Sequence, residues 1–305
     1  MNSLIAIDNN QSPASLIGPI PACLDRAGPA ASFAWEELFL GKLRNPHTRA
    51  AYLLAVRRFL AWCDARNAEI ARISPGMVGM YFDGLTFSIP TKKLHLAAIR
   101  SFFDVLVQRH VVVLNPALSV RTERYSAIEG KTPEISVEQC RVLLRSISIC
   151  SVIDLRDQAV IAVLIYTAAR AGAVAKLRIA DLIPDGSKLV LRFAEKGGKA
   201  RAIPVRHDLQ QFLQDYVFAG GLGAAPMESP MFRTAAGRLR QLSSAGMSGV
   251  DICRMVNRRL QAAGLPTLIS PHSFRSCAAT DLLLQNVPLD DVQSYCLLGL
   301  RYTSC

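Results

Sequence analysis

Ser270-Pro271-His272-Ser273-Phe274-Arg275, followed by Ala278-Ala279-Thr280-Asp281-Leu282-Leu283-Leu284 and then Leu297-Leu298-Gly299-Leu300, is the stretch on which the reading of the chain turns. Pro271 suits the first turn of a helix, where its missing N–H is not needed. On that helix His272 and Arg275 lie three apart and share a face. Leu282, Leu283 and Leu284 read as a buried apolar block. A histidine and an arginine side by side suit an anionic centre, because both donate hydrogen bonds to phosphoryl oxygens. His-x-x-Arg also occurs on ordinary solvated helix faces, so the pair is weighed with what lies upstream.

Upstream, Asp157 to Arg170 is apolar nearly all round, as in a buried helix. It ends in Thr167-Ala168-Ala169-Arg170-Ala171-Gly172. An arginine at the end of a buried helix needs an acidic neighbour or an anionic ligand. Lys188 to Phe193 alternates as a strand does, and Ala200 to Val205 resumes the extended pattern. Between them Glu195-Lys196-Gly197-Gly198-Lys199 suits a tight hairpin, so Lys196 projects from a turn. A turn lysine by itself is usually just solvated. Ser136 is placed to cap a helix running to about Ile147, and helical tracts follow over Leu209 to Phe218 and Val250 to Ala263. Gly237 to Gly249 reads as a Gly- and Ser-rich loop.

The N-terminal half has a different character. Residues 1 to about 30 carry Pro13, Pro19, Pro21 and Pro29 and read as an extended arm with at most one short helix. Helical spacing begins at Ala34. Asn45-Pro46 forms a cap and first turn, Pro75 opens a second helix, and a third starts near Thr91 and ends before Asn115-Pro116. Residues 40 to 124 hold thirteen Lys and Arg against five Asp and Glu, a net of +8 in a chain whose formal charge is +11. A compact basic helical unit is suited to phosphate contacts, which supply most non-specific affinity for DNA. Lys93 and Arg100, seven apart, share one helix face. Residues 119 to 133 are polar, contain Gly130 and Pro133, and read as a linker.

The eight cysteines show no Cys-x-x-Cys spacing and read as reduced core thiols of a cytoplasmic protein. No apolar run approaches the length of a membrane span, and the N-terminus lacks a signal-peptide pattern.

Taken together these pieces resemble the tyrosine recombinase (phage integrase) family, from about Ala34 to Gly299. Asn45-Pro46-His47-Thr48-Arg49-Ala50-Ala51-Tyr52, Thr91-Lys92-Lys93-Leu94 and Asn115-Pro116-Ala117 are similar to its helical core-binding domain. Thr167-Ala168-Ala169-Arg170 is similar to the motif of the first catalytic arginine. Glu195-Lys196-Gly197-Gly198-Lys199 with Ala202-Ile203-Pro204-Val205 is similar to the hairpin of the catalytic lysine. His272-Ser273-Phe274-Arg275 resembles the second box.

The resemblance implies a mostly α protein with a small β-sheet, an α+β fold. It implies an N-terminal extension over 1–33, a SAM-like core-binding domain over 34–118, the linker over 119–133 and a catalytic domain over 134–305. Arg170 and Arg275 would hold the scissile phosphate, His272 would act as acid/base and donor, and Lys196 would protonate the leaving 5′-oxygen. Arg49, Arg57, Lys92, Lys93 and Arg100 would contact DNA. Fixed guanidinium donors suit the charge that builds on non-bridging oxygens during attack. A phosphotyrosyl link conserves the bond energy, so neither nucleotide cofactor nor metal is implied. The implied partner is double-stranded DNA, with a homo-tetramer assembled on it and no membrane.

Departures from the pattern are specific. Ala173 stands where an acidic residue is common, Ser276 follows the second arginine, and Leu300 replaces the histidine expected after Leu297-Leu298-Gly299. The attacking tyrosine is expected beyond Cys305, whereas Tyr302 is two residues past Leu300. The end resembles a truncated integrase, so impaired cleavage is expected. The alternative is a non-catalytic DNA-binding relative that acts by occupying sites or with an intact partner.

Overall fold

The computed structural model describes residues 17–123, 133–186, 188–194, 200–236 and 241–296. The chain forms two compact units, Met1–Ala127 and Ile128–Cys305.

The first unit is helical: α1 (Ala22–Arg26), α2 (Pro29–Glu36, continued by a π-helical turn over Glu37–Lys42), α3 (Pro46–Asp64), α4 (Pro75–Asp83) and α5 (Ile89–Gln108). The starts follow from their caps. Asn45 Oδ1 accepts hydrogen bonds from the His47 and Thr48 amides at 2.9 and 3.2 Å, with Pro46 as the first helical residue. Ser74 Oγ accepts from the Met77 amide ahead of Pro75 in the same way. Among the described residues the N-terminal arm holds one short helix, α1, and the first two residues of α2. Pro29 begins α2 instead of breaking it, after Gly28 at φ 90°. The core is aromatic. Trp35, Phe39, Phe59, Phe102 and Phe103 are fully buried, and Trp35 meets Phe39 edge-on at 4.6 Å.

The second unit is α+β. It runs α6 (Val137–Arg145), α7 (Val152–Thr167), α8 (Ala171–Val174), then an antiparallel sheet in the order β1 (Leu182–Asp185), β2 (Lys188–Ala194), β3 (Ala200–Pro204). The helix α9 (His207–Ala219) precedes a hairpin of β4 (Arg233–Ala236) and β5 (Gln241–Gly246). The chain continues through α10 (Gly249–Ala262), α11 (Pro271–Leu284) and α12 (Leu289–Cys296). Ser136 and Gln139 form a capping box at the start of α6. α7 runs through the core, with α9 and α11 packed against it. β2 and β3 pair in register with Ala194 opposite Ala200, on either side of residues 195–199.

Four readings change. The buried helix begins at Val152, not Asp157, because Asp154, Arg156 and Asp157 are neutralised inside the protein and do not mark a solvated helix start. Part of the Gly- and Ser-rich loop is the strand β5, whose Gln and Ser content gives no apolar alternation. β1 was not expected at all. It is a short edge strand, and Pro184 is tolerated on an edge. Only Leu282 of the leucine block packs inward, partly buried against Ala168, Ala279, Val292 and Cys296, while Leu283 and Leu284 are 44% and 78% exposed. Three consecutive helix positions fan over about 200° and cannot share one face. Among the described residues no helix is long and apolar enough to cross a membrane.

Candidate functional site

The site is built around Arg275. Its side chain is 2% exposed on α11, and its Nη1 donates to the Ala168 carbonyl at 2.9 Å. That bond joins positions 107 apart in sequence. Ala168 ends α7 in the left-handed region, at φ 51°. A left-handed residue breaks the helical hydrogen-bond pattern and lets the last carbonyls turn to other donors. Arg170 comes two residues later as the exposed N-cap of α8. The turn that delivers Arg170 is thus the turn that Arg275 holds. His272 lies one helical turn before Arg275 and is exposed. Lys196 lies in 195–199 and Leu300 in 297–305, both outside the described residues.

Ala168, Ala279, Val292 and Cys296 form a small apolar cluster at this corner. Burial pushes the Cys296 thiol up, while the Arg275 and Arg201 charges oppose that shift. Tyr295, beside it, donates from its hydroxyl to the Tyr166 carbonyl at 2.5 Å, and its own carbonyl accepts from Arg201 Nη1. Burial raises the Tyr295 pKa, with Arg201 opposing. A phenol with its proton engaged and its pKa raised packs α12 in place; it is the reverse of an activated nucleophile.

A second charged group supports α7 from behind, and the sequence reading missed it. Asp157 is fully buried. Its Oδ1 accepts from Arg156 Nη2 and Nε at 2.6 and 3.0 Å, and its Oδ2 from Arg259 Nε and Arg258 Nη2 at 2.9 and 3.0 Å. Arg259 Nη2 also donates to Asp154 Oδ1 at 2.6 Å, while Arg156 Nη1 reaches the Arg233 carbonyl at 2.9 Å. Burial acts to raise the Asp154 pKa, but the bonds from Arg259 and Ser151 outweigh it and hold the carboxyl below its ordinary value. The network fastens α7 to α10 and β4. The signal was present, since oppositely charged neighbours inside an apolar helix require partners.

The sequence matches the Phage integrase family over residues 135–297 and the Phage integrase, N-terminal SAM-like domain over 34–110. The chain belongs to the phage integrase family. A relative, the tyrosine recombinase XerC of Pelobacter propionicus, is 28% identical over 262 residues, spanning 84% of this chain and 81% of the relative. The fold is that of a lambda integrase dimer bound to a COC′ core site, with TM-score 0.66 and 17% identity over 93% of this chain and 74% of that one. It is also that of the XerH site-specific recombinase in a post-cleavage complex with palindromic difH, with TM-score 0.69 and 15% identity over 94% of this chain and 87% of that one.

In the SAM-like unit of this integrase-family chain, most of the basic residues singled out from the sequence have internal partners. Arg57 Nη2 donates to the Ile17 and Pro19 carbonyls, both at 2.6 Å, with the guanidinium 5.3 Å from the Trp35 ring. Arg100 donates from Nε to Ala117 O at 3.0 Å and from Nη2 to Leu118 O and Val120 O at 3.3 and 2.5 Å. Lys92 pairs with Glu123 at 2.8 Å, and Arg49 Nε donates to Leu43 O at 3.0 Å. Lys93 is exposed. Asn115 completes the strap on α5, donating to Arg100 O and to Asp104 Oδ1 at 2.9 and 2.7 Å.

Proposed function

We propose that this chain is a site-specific DNA recombinase that breaks and rejoins double-stranded DNA through a phosphotyrosine intermediate. The carrying observation is the Arg275–Ala168 bond, which fixes a buried guanidinium beside the turn of Arg170. Two such forks can hold the non-bridging oxygens of one phosphodiester and stabilise the charge that attack builds there. In the family's reaction a tyrosine oxygen, which none of the described residues of this chain supplies, bonds to phosphorus, and the bond to the 5′-oxygen breaks as that oxygen takes its proton from Lys196. His272, exposed on the same helix face as Arg275, serves as donor and acid/base.

Residues 34–118 serve as the DNA-gripping domain, 119–133 as the linker and 134–305 as the catalytic domain. Lys93 supplies a phosphate contact. Arg49, Arg57, Lys92 and Arg100 contribute their charge to the same interface while holding the local chain, since a guanidinium carries five donors and internal bonds take only some. The protein works as a homo-tetramer on DNA, in the cytoplasm.

A second reading is favoured by Leu300, which cannot donate a hydrogen bond where the family pattern expects a histidine. On that reading the chain occupies DNA sites with little or no cutting. One assay separates the two. The protein is incubated with nicked inverted-repeat suicide substrates and resolved under denaturing conditions. A covalent adduct that disappears with Arg275→Ala supports recombination. Retained binding with no adduct supports occupancy, and failure to bind DNA overturns both.

A further inference from the structure

Arg201 joins the β2–β3 hairpin to the arginine corner. It stands on β3 directly opposite Phe193 on β2. Residues opposite one another in an antiparallel pair share a face of the sheet. Phe193 is fully buried, and the Arg201 guanidinium lies 5.4 Å from its ring. From there Nη1 donates to the Tyr295 carbonyl, 94 positions away on α12. Tyr295 lies in the last turn of that helix. Carbonyls in a last turn lack partners inside the helix, and the negative end of the helix dipole favours a cation.

The link continues past α12. The Tyr295 hydroxyl donates to the Tyr166 carbonyl at 2.5 Å. Tyr166 comes two residues before Ala168, whose carbonyl Arg275 holds. Cys296, next to Tyr295, packs in one cluster with Ala168. Tyr295 is therefore bonded through its main chain to the hairpin and through its side chain to the end of α7. Arg192 provides a contrast on the same hairpin. It precedes Phe193, so it points to the opposite face. Its side chain is 53% exposed and pairs with Asp181 at 3.5 Å.

We propose that Arg201 is a positioning residue for the recombination reaction: through Tyr295 it fixes the β2–β3 hairpin against the corner of Arg170 and Arg275. The inference rests on the recombinase reading above, in which Lys196, between β2 and β3, protonates the leaving oxygen. A proton donor contributes only when it is held within hydrogen-bond reach of that oxygen. Loss of Arg201 frees the hairpin from α12, while Arg275 keeps its bond to Ala168 and its place at the phosphate. The loss then falls on departure of the leaving group and not on DNA binding.

The full chain is given two nicked suicide substrates, one with the ordinary 5′-oxygen at the scissile bond and one with sulfur in its place. A thiol is a much stronger acid than an alcohol, so the sulfur leaves without a proton donor. Arg201→Ala should slow adduct formation about 10²-fold on the oxygen substrate and less than about three-fold on the sulfur substrate, with DNA affinity held within about three-fold. Arg201→Lys keeps a donor for the carbonyl and should recover part of the oxygen rate. Arg192→Ala removes the same charge from the other face and should not discriminate between the substrates. Equal slowing on both substrates by Arg201→Ala overturns the assignment. Where Arg201→Ala does not fold, Tyr295→Phe, which removes only the bond to Tyr166, should show the same bias towards the oxygen substrate, and its absence overturns the assignment as well. Hydrogen exchange of the DNA-free protein tests the link without catalysis. Arg201→Ala should speed exchange about ten-fold in residues 200–204 and 289–296 and leave 249–262 unchanged. A native protein that forms no adduct on either substrate removes the recombinase reading. The exchange pattern then decides the link by itself, and unaltered exchange in either segment overturns it.

Discussion

Arginines in the two units are used differently, and the contrast separates support from chemistry. In the helical unit Arg57 and Arg100 hold backbone carbonyls of segments that would otherwise lie loose: the chain before α1 and the exit after α5. In the catalytic-type unit Arg156, Arg258 and Arg259 converge on one buried carboxylate, and Arg275 holds one carbonyl from a fully buried position. A half-exposed guanidinium on carbonyls keeps its hydration, so its loss is modest. Arg156 and Arg259 have been desolvated together with the buried carboxylate while Arg258 stays exposed, so removing the carboxylate strands buried charge. Net charge, which marks the first unit as the basic one, therefore does not mark where the strong electrostatics lie.

The largest expected effect is on Asp157. Asp157→Ala leaves Arg156 buried without its carboxylate, removes the carboxylate that Arg258 holds and leaves Arg259 with Asp154 alone. The expected loss is about 3–5 kcal/mol of stability, measured by urea unfolding. A loss below about 1 kcal/mol, the scale of a surface pair, would mean that the network is no stronger than the helical unit's straps.

Arg275→Ala comes next. Covalent adduct formation should fall by about 10²–10³-fold, the usual effect of removing one preorganised donor. The Ala168 carbonyl also loses its partner, at about 1–3 kcal/mol of stability. Arg275→Lys should restore part of the stability but little of the rate, because an ammonium cannot reproduce the planar fork. Equal recovery of both would make Arg275 a structural arginine like Arg100.

How much of this was legible in the sequence depended on periodicity and caps. Asn45-Pro46, Ser136 and Pro271 set helix starts where expected, because a cap is a local contract between a side chain and nearby amides. The β2–β3 hairpin was legible from alternation. β5 was not, since Gln241 to Gly246 has no apolar face to betray it. The partnership of Arg275 with Ala168 rests on a left-handed turn at an alanine, which no composition rule anticipates. The same limit explains Arg57 and Arg100: their spacing on helix faces could be read, but not that distant carbonyls would take their donors.

A smaller effect divides support from DNA contact within the first unit. Arg100→Ala should cost about 1 kcal/mol and speed hydrogen exchange at residues 117–120, as expected of a partly exposed strap. Lys93→Ala should lower the slope of log affinity against log salt by about 1. If Arg100→Ala lowers the salt slope as much as Lys93→Ala, Arg100 reaches phosphate as well as carbonyls.

The smallest expected effect is a difference in acid sensitivity between the units. His95 is buried on α5, with Nδ1 3.4 Å from the Tyr81 hydroxyl and its ring against Phe87, over which the Arg58 guanidinium sits. Burial lowers its pKa from the ordinary 6.5, and the Arg58 charge adds to this. The unfolded chain therefore takes up a proton near pH 6.5 that the folded unit resists. Its contribution is full above 6.5 and is lost as pH falls from there towards the depressed folded value. In the second unit the depressed Asp154 contributes above its ordinary 3.8 and loses that only as pH falls through its lower folded value. The first unit should weaken first on acidification. Both tryptophans, Trp35 and Trp62, lie in that unit, so fluorescence reports it alone. The fluorescence-detected urea midpoint should drop between about pH 7.5 and about pH 5 in the native sequence and stay flatter in His95→Gln. A midpoint equally steep in both would place the acid-sensitive group elsewhere in the helical unit.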